Sequence, residues 1–284
     1  MKNILITGVS TGIGYHSAKY FIEQGFFVFG SVRKEADAQR VSADLGANFQ
    51  ALIFDVTDQE AIDLAAESVE EQLGDAGLDL LVNNAGIAVS GPLQYLTIDE
   101  LHHQMNVNVY GVLRVTKAFL PILGAKRPRK HSPGKIINIS SVSGFVSAPF
   151  LGAYAMSKHA LESMSDALRR ELSIYDIDVI VIEPGAIKTD IWEKSQNIDP
   201  KFLKTEYAPI LKDWDKMIKN SEKNGLPAKD IAMLLHRILE KARPATRHII
   251  AKKKFVMWMV KHILPDRFLD GKLTEGWKEK LKNG

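Results

Sequence analysis

The sequence predicts an α/β protein built on a doubly wound parallel sheet, and three observations carry that expectation. Short runs such as "NILIT", "FFVFGSV" and "LDLLVNNAG" are apolar almost throughout instead of alternating, as strands buried on both faces must be. Amphipathic stretches of helical length separate these runs one by one, the order expected of strand–helix–strand units. A glycine-rich loop joins the first apolar run to the first helical stretch.

The elements follow in order. "NILIT" opens the sheet, and a helix follows from about Gly12 to Gln24. "FFVFGSV" is the second strand, with a helix through Leu45. "FQALIFD" is the third, with a helix from Asp58 to Leu73. "LDLLVNNAG" leads to a helical pair from Thr97 to Leu123. "GKIINIS" leads to the helix around Tyr154, "IDVIVIEPG" is the sixth strand, and "TRHIIA" closes the series as the seventh. A single domain is expected over residues 1–251. It carries an insertion at about 188–226 as a helical lid between the sixth and seventh strands, and a helical extension follows at 252–284.

Composition narrows the function. The chain has 284 residues, 45% of them hydrophobic, enough for a sizeable core. It has no cysteine, which removes disulfides, thiolate metal sites and a cysteine nucleophile. The formal net charge of +3 is too small to argue for a nucleic-acid partner. The opening "MKNILITG" leaves no room for a signal-peptide core, so a cytoplasmic location is expected. "FVMWMVKHIL" is shorter than the roughly 20 residues a membrane span needs. His102 and His103 are adjacent without a third ligand at metal spacing, and no metal site is expected.

"ILITGVSTGIG" sets Gly8, Gly12 and Gly14 between the first strand and the first helix. Only glycine lets the chain turn so tightly and approach a pyrophosphate, which then faces free N–H groups and the positive end of the helix dipole. This TGxxxGxG spacing resembles the short-chain dehydrogenase/reductase superfamily, a Rossmann-type fold. The resemblance implies further landmarks, and the chain has them: Asn83 to Gly86 in "LVNNAG", Asp55 in "IFDVT", and Pro184, Gly185 and Thr189 in "IEPGAIKT". By that resemblance Gly8, Ser10, Gly12, Ile13, Gly14, Asp55, Val56, Asn83, Ala85, Gly86, Pro184, Gly185, Ile187 and Thr189 are expected around a nicotinamide dinucleotide.

The end of the second strand selects the cofactor. An acid there accepts hydrogen bonds from both ribose hydroxyls of NAD and repels a 2′-phosphate. Here Val32 is followed by Arg33 and Lys34, whose charges suit a phosphate, so NADP(H) is favoured, with NAD(H) the alternative.

In "GAYAMSKHAL", Tyr154 and Lys158 lie within about 40° of each other on a helical wheel, with Leu161, Ser165, Leu168 and Leu172 on the same side. An apolar stripe explains a tyrosine with a polar tip, but an unpaired buried ammonium is costly. The superfamily resemblance assigns Tyr154 as general acid/base and Lys158 as the group that lowers its pKa and binds ribose. It assigns Ser141 to the carbonyl oxygen and Asn108 to a water-linked contact with Lys158. Ser140 competes with Ser141, and Asn106 with Asn108; family spacing favours Ser141 and Asn108.

The function implied is interconversion of an alcohol and its carbonyl by an NADP(H)-dependent oxidoreductase on a small, lipophilic substrate. The pattern is most like hydroxysteroid and retinol dehydrogenases. The alternative is a non-catalytic nicotinamide sensor on the same fold. Trp192, Phe202, Tyr207 and Trp214 either wall a substrate pocket or pack the lid. For the basic tail, packing beside the active-site mouth or in a subunit interface is preferred to a membrane surface. The resemblance also implies a homodimer or homotetramer.

Overall fold

The computed structural model describes residues 1–189 and 198–282. Along the chain run β1 (Asn3–Ile6), α1 (Gly12–Glu23), β2 (Phe27–Val32), α2 (Glu35–Leu45), β3 (Phe49–Ile53), α3 (Gln59–Leu73) and β4 (Leu80–Asn83). Then come α4 (Ile98–Met105), a π-helical turn (Asn106–Gly111), α5 (Val112–Phe119), β5 (Lys135–Ile139), α6 (Gly152–Glu171), β6 (Asp178–Pro184) and β7 (Ile187–Lys188). The rest comprises α7 (Ala208–Leu211), α8 (Trp214–Lys223), β8 (Leu226–Pro227), α9 (Ala228–Glu240), β9 (Arg247–Ile250), α10 (Lys254–His262), α11 (Asp266–Leu273) and α12 (Trp277–Lys282).

Seven strands form the main sheet in the order β3-β2-β1-β4-β5-β6-β9, every neighbouring pair parallel. Helices cover both faces. Ile4, Ile6 and Val28 pack with α1, α2 and α9 on one side, and Leu5 and Phe29 pack with α3, α5 and α6 on the other. Successive strand residues serve opposite layers, which is why these strands read as continuously apolar. Two-residue strands β7 and β8 pair with each other and tie the start of the insertion to its end.

Local signals set several boundaries. Asp58 caps α3 by accepting from the Ala61 N–H at 3.1 Å. Thr97 and Glu100 form a reciprocal capping box at the start of α4. The expected helical pair from Thr97 is one helical run interrupted by the π turn, which adds a residue to the repeat.

Candidate active site

The strand order reverses between β1 and β4, and open α/β sheets bind ligands at the carboxyl ends of such strands. The loops leaving β1 and β4 clasp each other there. Thr7 Oγ1 accepts from the Asn84 and Ala85 N–H groups at 2.9 and 3.0 Å. The Asn84 amide donates to the carbonyls of Thr7 and Gly8 at 2.8 and 3.1 Å. Gly8 and Gly12 have φ of 73° and 61°, the left-handed region that glycine tolerates. A Cβ on Gly14 would lie 2.2 Å from the Gly8 carbonyl oxygen, and one on Gly12 would lie 3.3 Å from Thr189 Cβ. Thr11, the residue preceding α1, makes no side-chain cap. A glycine-lined cradle therefore faces the uncapped N–H groups of α1, a donor set suited to the pyrophosphate of a dinucleotide.

The other expected contacts fall around this cradle unevenly. Ser10 gives its carbonyl to Arg40 at 2.8 Å, and Ile13 packs against the core. Val32 is buried, while Arg33 and Lys34 at the end of β2 are exposed. The Arg33 guanidinium is only loosely engaged, 3.9 Å from Asp55, whose carboxylate accepts from the Thr57 N–H and hydroxyl at 2.9 and 2.7 Å. Val56 packs under Gly111, where an added Cβ would lie 2.7 Å from Val56 Cγ2.

Two expected side chains are turned elsewhere. The Asn83 amide donates to Thr116 Oγ1 and Asn138 Oδ1 at 3.0 and 2.9 Å within the sheet layer, so Asn84, and not Asn83, braces the glycine loop. Neighbours at a strand end point to opposite sides, which separates the two asparagines. Ile187 is buried in the core cluster with α9, which leaves only its main chain near the cradle. Gly185 donates to the Ile250 carbonyl at 2.9 Å and fixes the loop after Pro184.

The proposed catalytic group assembles at the start of α6. Ser141 follows β5, accepts from the Ser143 N–H at 3.1 Å, and reaches the Pro184 carbonyl at 3.5 Å. Its hydroxyl is hydrogen-bonded with Tyr154, and Ser140 instead faces Gly144 and Glu162. One helical turn on, Lys158 is buried, donates to the Ile139 carbonyl at 2.8 Å, and lies 5.6 Å from the Tyr154 ring centroid. Burial pulls the Lys158 ammonium down to about 8, opposed by the negative charge of Glu162. Burial also pushes the Tyr154 phenol above its ordinary range, while the Ser141 hydrogen bond pulls it back. Lys158 is not among the groups that shift Tyr154 here; its ammonium donates to the Ile139 carbonyl.

Asn108 sits in the π turn and reaches inward. Its Oδ1 accepts from the Ile87 N–H at 2.9 Å; its Nδ2 donates to the Ile87 carbonyl at 3.0 Å and to Ser157 Oγ at 3.1 Å. Ser157 in turn donates to the Tyr154 carbonyl at 2.7 Å. A Cβ on Gly86 would lie 3.2 Å from Asn108 Oδ1, so the Asn-Asn-Ala-Gly loop touches this group. Asn106 instead accepts from Arg114 at 2.9 Å. Buried Gln104 also holds this loop, accepting from the Val89 N–H at 2.7 Å; nothing in its sequence context marked it.

Two surroundings were less legible. Behind α6, Arg247 of β9 meets Glu162 at 2.9 Å and Asp166 at 3.0 Å and lies 3.9 Å from Glu183. Glu183 is wholly buried and also pairs with Lys261 of α10. Burial pushes its carboxyl up, against the pull of Lys261. Glu162, Glu183, Arg247 and Lys261 border a cavity of about 730 Å³ with Phe145 and Trp258. In the insertion, Phe202 and Trp214 are buried with Leu96, Phe150, Ile210 and Leu211, so they pack the insertion onto the start of α6. Tyr207 lies 5.6 Å from Phe150, and Trp277 stacks on Phe150 at 5.1 Å. Trp192 lies outside the described residues.

Residues 2–199 match the family model described as short chain dehydrogenase. The chain is 42% identical over 270 residues to an NADPH-dependent 3-dehydrocapnine reductase from Ornithobacterium rhinotracheale, covering 95% of each chain. It is 32% identical over 267 residues to a 3-ketodihydrosphingosine reductase from Bacteroides thetaiotaomicron, covering 94% of each. A crystal structure of a short-chain dehydrogenase from Streptomyces avermitilis superposes with a TM-score of 0.75 at 25% identity, covering 100% of this chain and 98% of that one.

Proposed function

The chain belongs to the short-chain dehydrogenase/reductase superfamily, and on that premise we propose that it is an NADPH-dependent reductase of a ketone on a lipophilic, long-chain molecule. The observation that carries this is Ser141 paired with Tyr154, with Lys158 buried one turn away on α6. Two relatives along nearly the whole chain are named as reductases, one of them of a ketodihydrosphingosine, and the first is named NADPH-dependent. Exposed Arg33 and Lys34, with no acid at the end of β2, favour the 2′-phosphate.

The α1 N–H groups, Arg33 and Lys34 would hold NADPH, which would supply the hydride to the carbonyl carbon. The chain's own residues do the remainder. Ser141 Oγ donates to the carbonyl oxygen and fixes it beside Tyr154. Tyr154 gives its phenolic proton to that oxygen as negative charge develops there. Lys158, near its titration point at neutral pH, offsets the resulting phenolate and holds ribose hydroxyls; Asn108 keeps the π turn and the Tyr154 backbone in place. The aromatic insertion at about 188–226 serves as the lid of the apolar substrate site, and residues 1–251 as the catalytic domain. Exposed Tyr110 and Met156, in the π turn and on α6, suit these elements to a homodimer or homotetramer contact, which light scattering checks.

The test is NADPH oxidation with 3-ketodihydrosphingosine, retinal and steroid ketones in parallel. Tyr154→Phe is expected to lower kcat/KM by at least about a hundredfold while NADPH Kd stays within about twofold. Unchanged turnover would overturn the assignment of Tyr154. Tight NADPH binding with no turnover of any ketone would favour a sensor instead.

A further inference from the structure

We propose that the outward face of helix α10 (Lys254–His262) is a docking surface for an anionic lipid bilayer. The inference does not depend on the catalytic reading, because it concerns binding alone. The sequence "KFVMWMVKH" is apolar over most of its length, yet no residue of α10 is buried. Lys261 anchors it inward, pairing with Glu183 and lying 4.8 Å from the Phe145 ring centroid. Several of the helix's apolar residues are left exposed, although Trp258 also borders the cavity beside Glu183. Phe255 is 68% exposed and Ile263 59%, and Trp258, 44% exposed, stacks on Phe255 with ring centroids 6.0 Å apart. Water is a poor partner for such a cluster, and surface apolar patches of this kind mark interaction sites.

Charge says which partner. Residues 252–284 contain nine Lys and Arg against four Asp and Glu, a net +5, whereas the whole chain is only +3, so the rest carries −2. Lys252, Lys253 and Lys254 are all exposed at the start of α10, beside Phe255. Aromatic side chains flanked by unpaired lysines match the boundary of an anionic bilayer, where rings enter the acyl edge and ammonium groups meet phosphates. A second copy packed tail to tail would set one +5 segment against another. No described helix is long and apolar enough to cross a bilayer, so the contact is one of lying on the surface. The same tail reaches the active helix, because Trp277 stacks on Phe150, two residues before α6 begins.

The experiment is co-sedimentation of the full chain with phosphatidylcholine vesicles, with and without about 30% phosphatidylglycerol. Binding to the anionic vesicles is expected, at least about tenfold stronger than to the neutral ones, and lost at ~1 M salt. Phe255→Glu with Trp258→Glu should lower it more than about tenfold, as should the triple change Lys252→Glu, Lys253→Glu and Lys254→Glu. Both variants should keep native circular dichroism and NADPH affinity. Failure of the wild-type chain to bind anionic vesicles, or equal binding by the folded variants, overturns the proposal. So does a loss of oligomer mass in the aromatic variant without vesicle binding by the wild type, which would make the face a subunit contact.

Discussion

Lys158 carries a thermodynamic cost that its chemistry requires. Its pKa in the folded chain is about 8, below the ordinary lysine value near ~10.4. Between those values the unfolded chain binds more protons than the folded one, so this group makes stability rise as pH increases from about 8 toward 10. Lys158→Met removes that slope. Relative to wild type, the variant should be more favourable at pH 7 than at pH 9.5 by about 2 kcal/mol in urea unfolding. An equal difference at both pH values would show that Lys158 is not desolvated. The two neighbouring asparagines give a second contrast. Asn84→Ala frees the carbonyls of Thr7 and Gly8, and should weaken NADPH binding about tenfold or more with little change in stability. Asn83→Ala leaves buried partners unsatisfied, and should cost about 1–3 kcal/mol of stability while NADPH Kd stays within about twofold. Reversal of those two outcomes would return Asn83 to the cofactor.

At the scale of elements, the end of β2 decides the cofactor through what it lacks. Arg33→Ala should raise KM for NADPH about tenfold and leave that for NADH within about twofold. Equal effects would mean that Arg33 merely decorates the start of α2. The tail helix gives another test. With Lys261→Met, Glu183 keeps its burial and loses its pulling cation, so its already raised pKa rises further. As pH falls, protonation of that carboxyl relieves the lost pairing; as pH rises, its charge is left with one cation fewer. The variant should therefore lose about 3–5 kcal/mol at pH 8 and much less at pH 5. The seven strands were legible because burial on both faces writes a continuous apolar run. The glycine loop was legible because its glycines stand between a strand and a helix. The π turn was not, since "NVNVYG" fits an ordinary helix and only the close approach of Gly111 to Val56 marks the widened repeat. Nor was the Glu183–Lys261 pair, a lone acid in an apolar strand whose partner stands far along the chain.

The molecule as a whole was read well where local pattern and tertiary burial agree, and poorly where distant segments meet. Residues 252–284 are the clearest case, for their helices were expected but their anchors on Glu183, Phe150 and Asp213 were not. The strand order has a consequence of its own. β1 is interior; β2 and then β3 lie beyond it on one side, and β4, β5, β6 and β9 on the other. Each strand therefore joins an edge that already exists, in the order in which a ribosome releases it. None has to be threaded between two partners already paired. Synthesis from the N-terminus can lay the sheet outward from β1, with an open edge waiting for each new strand.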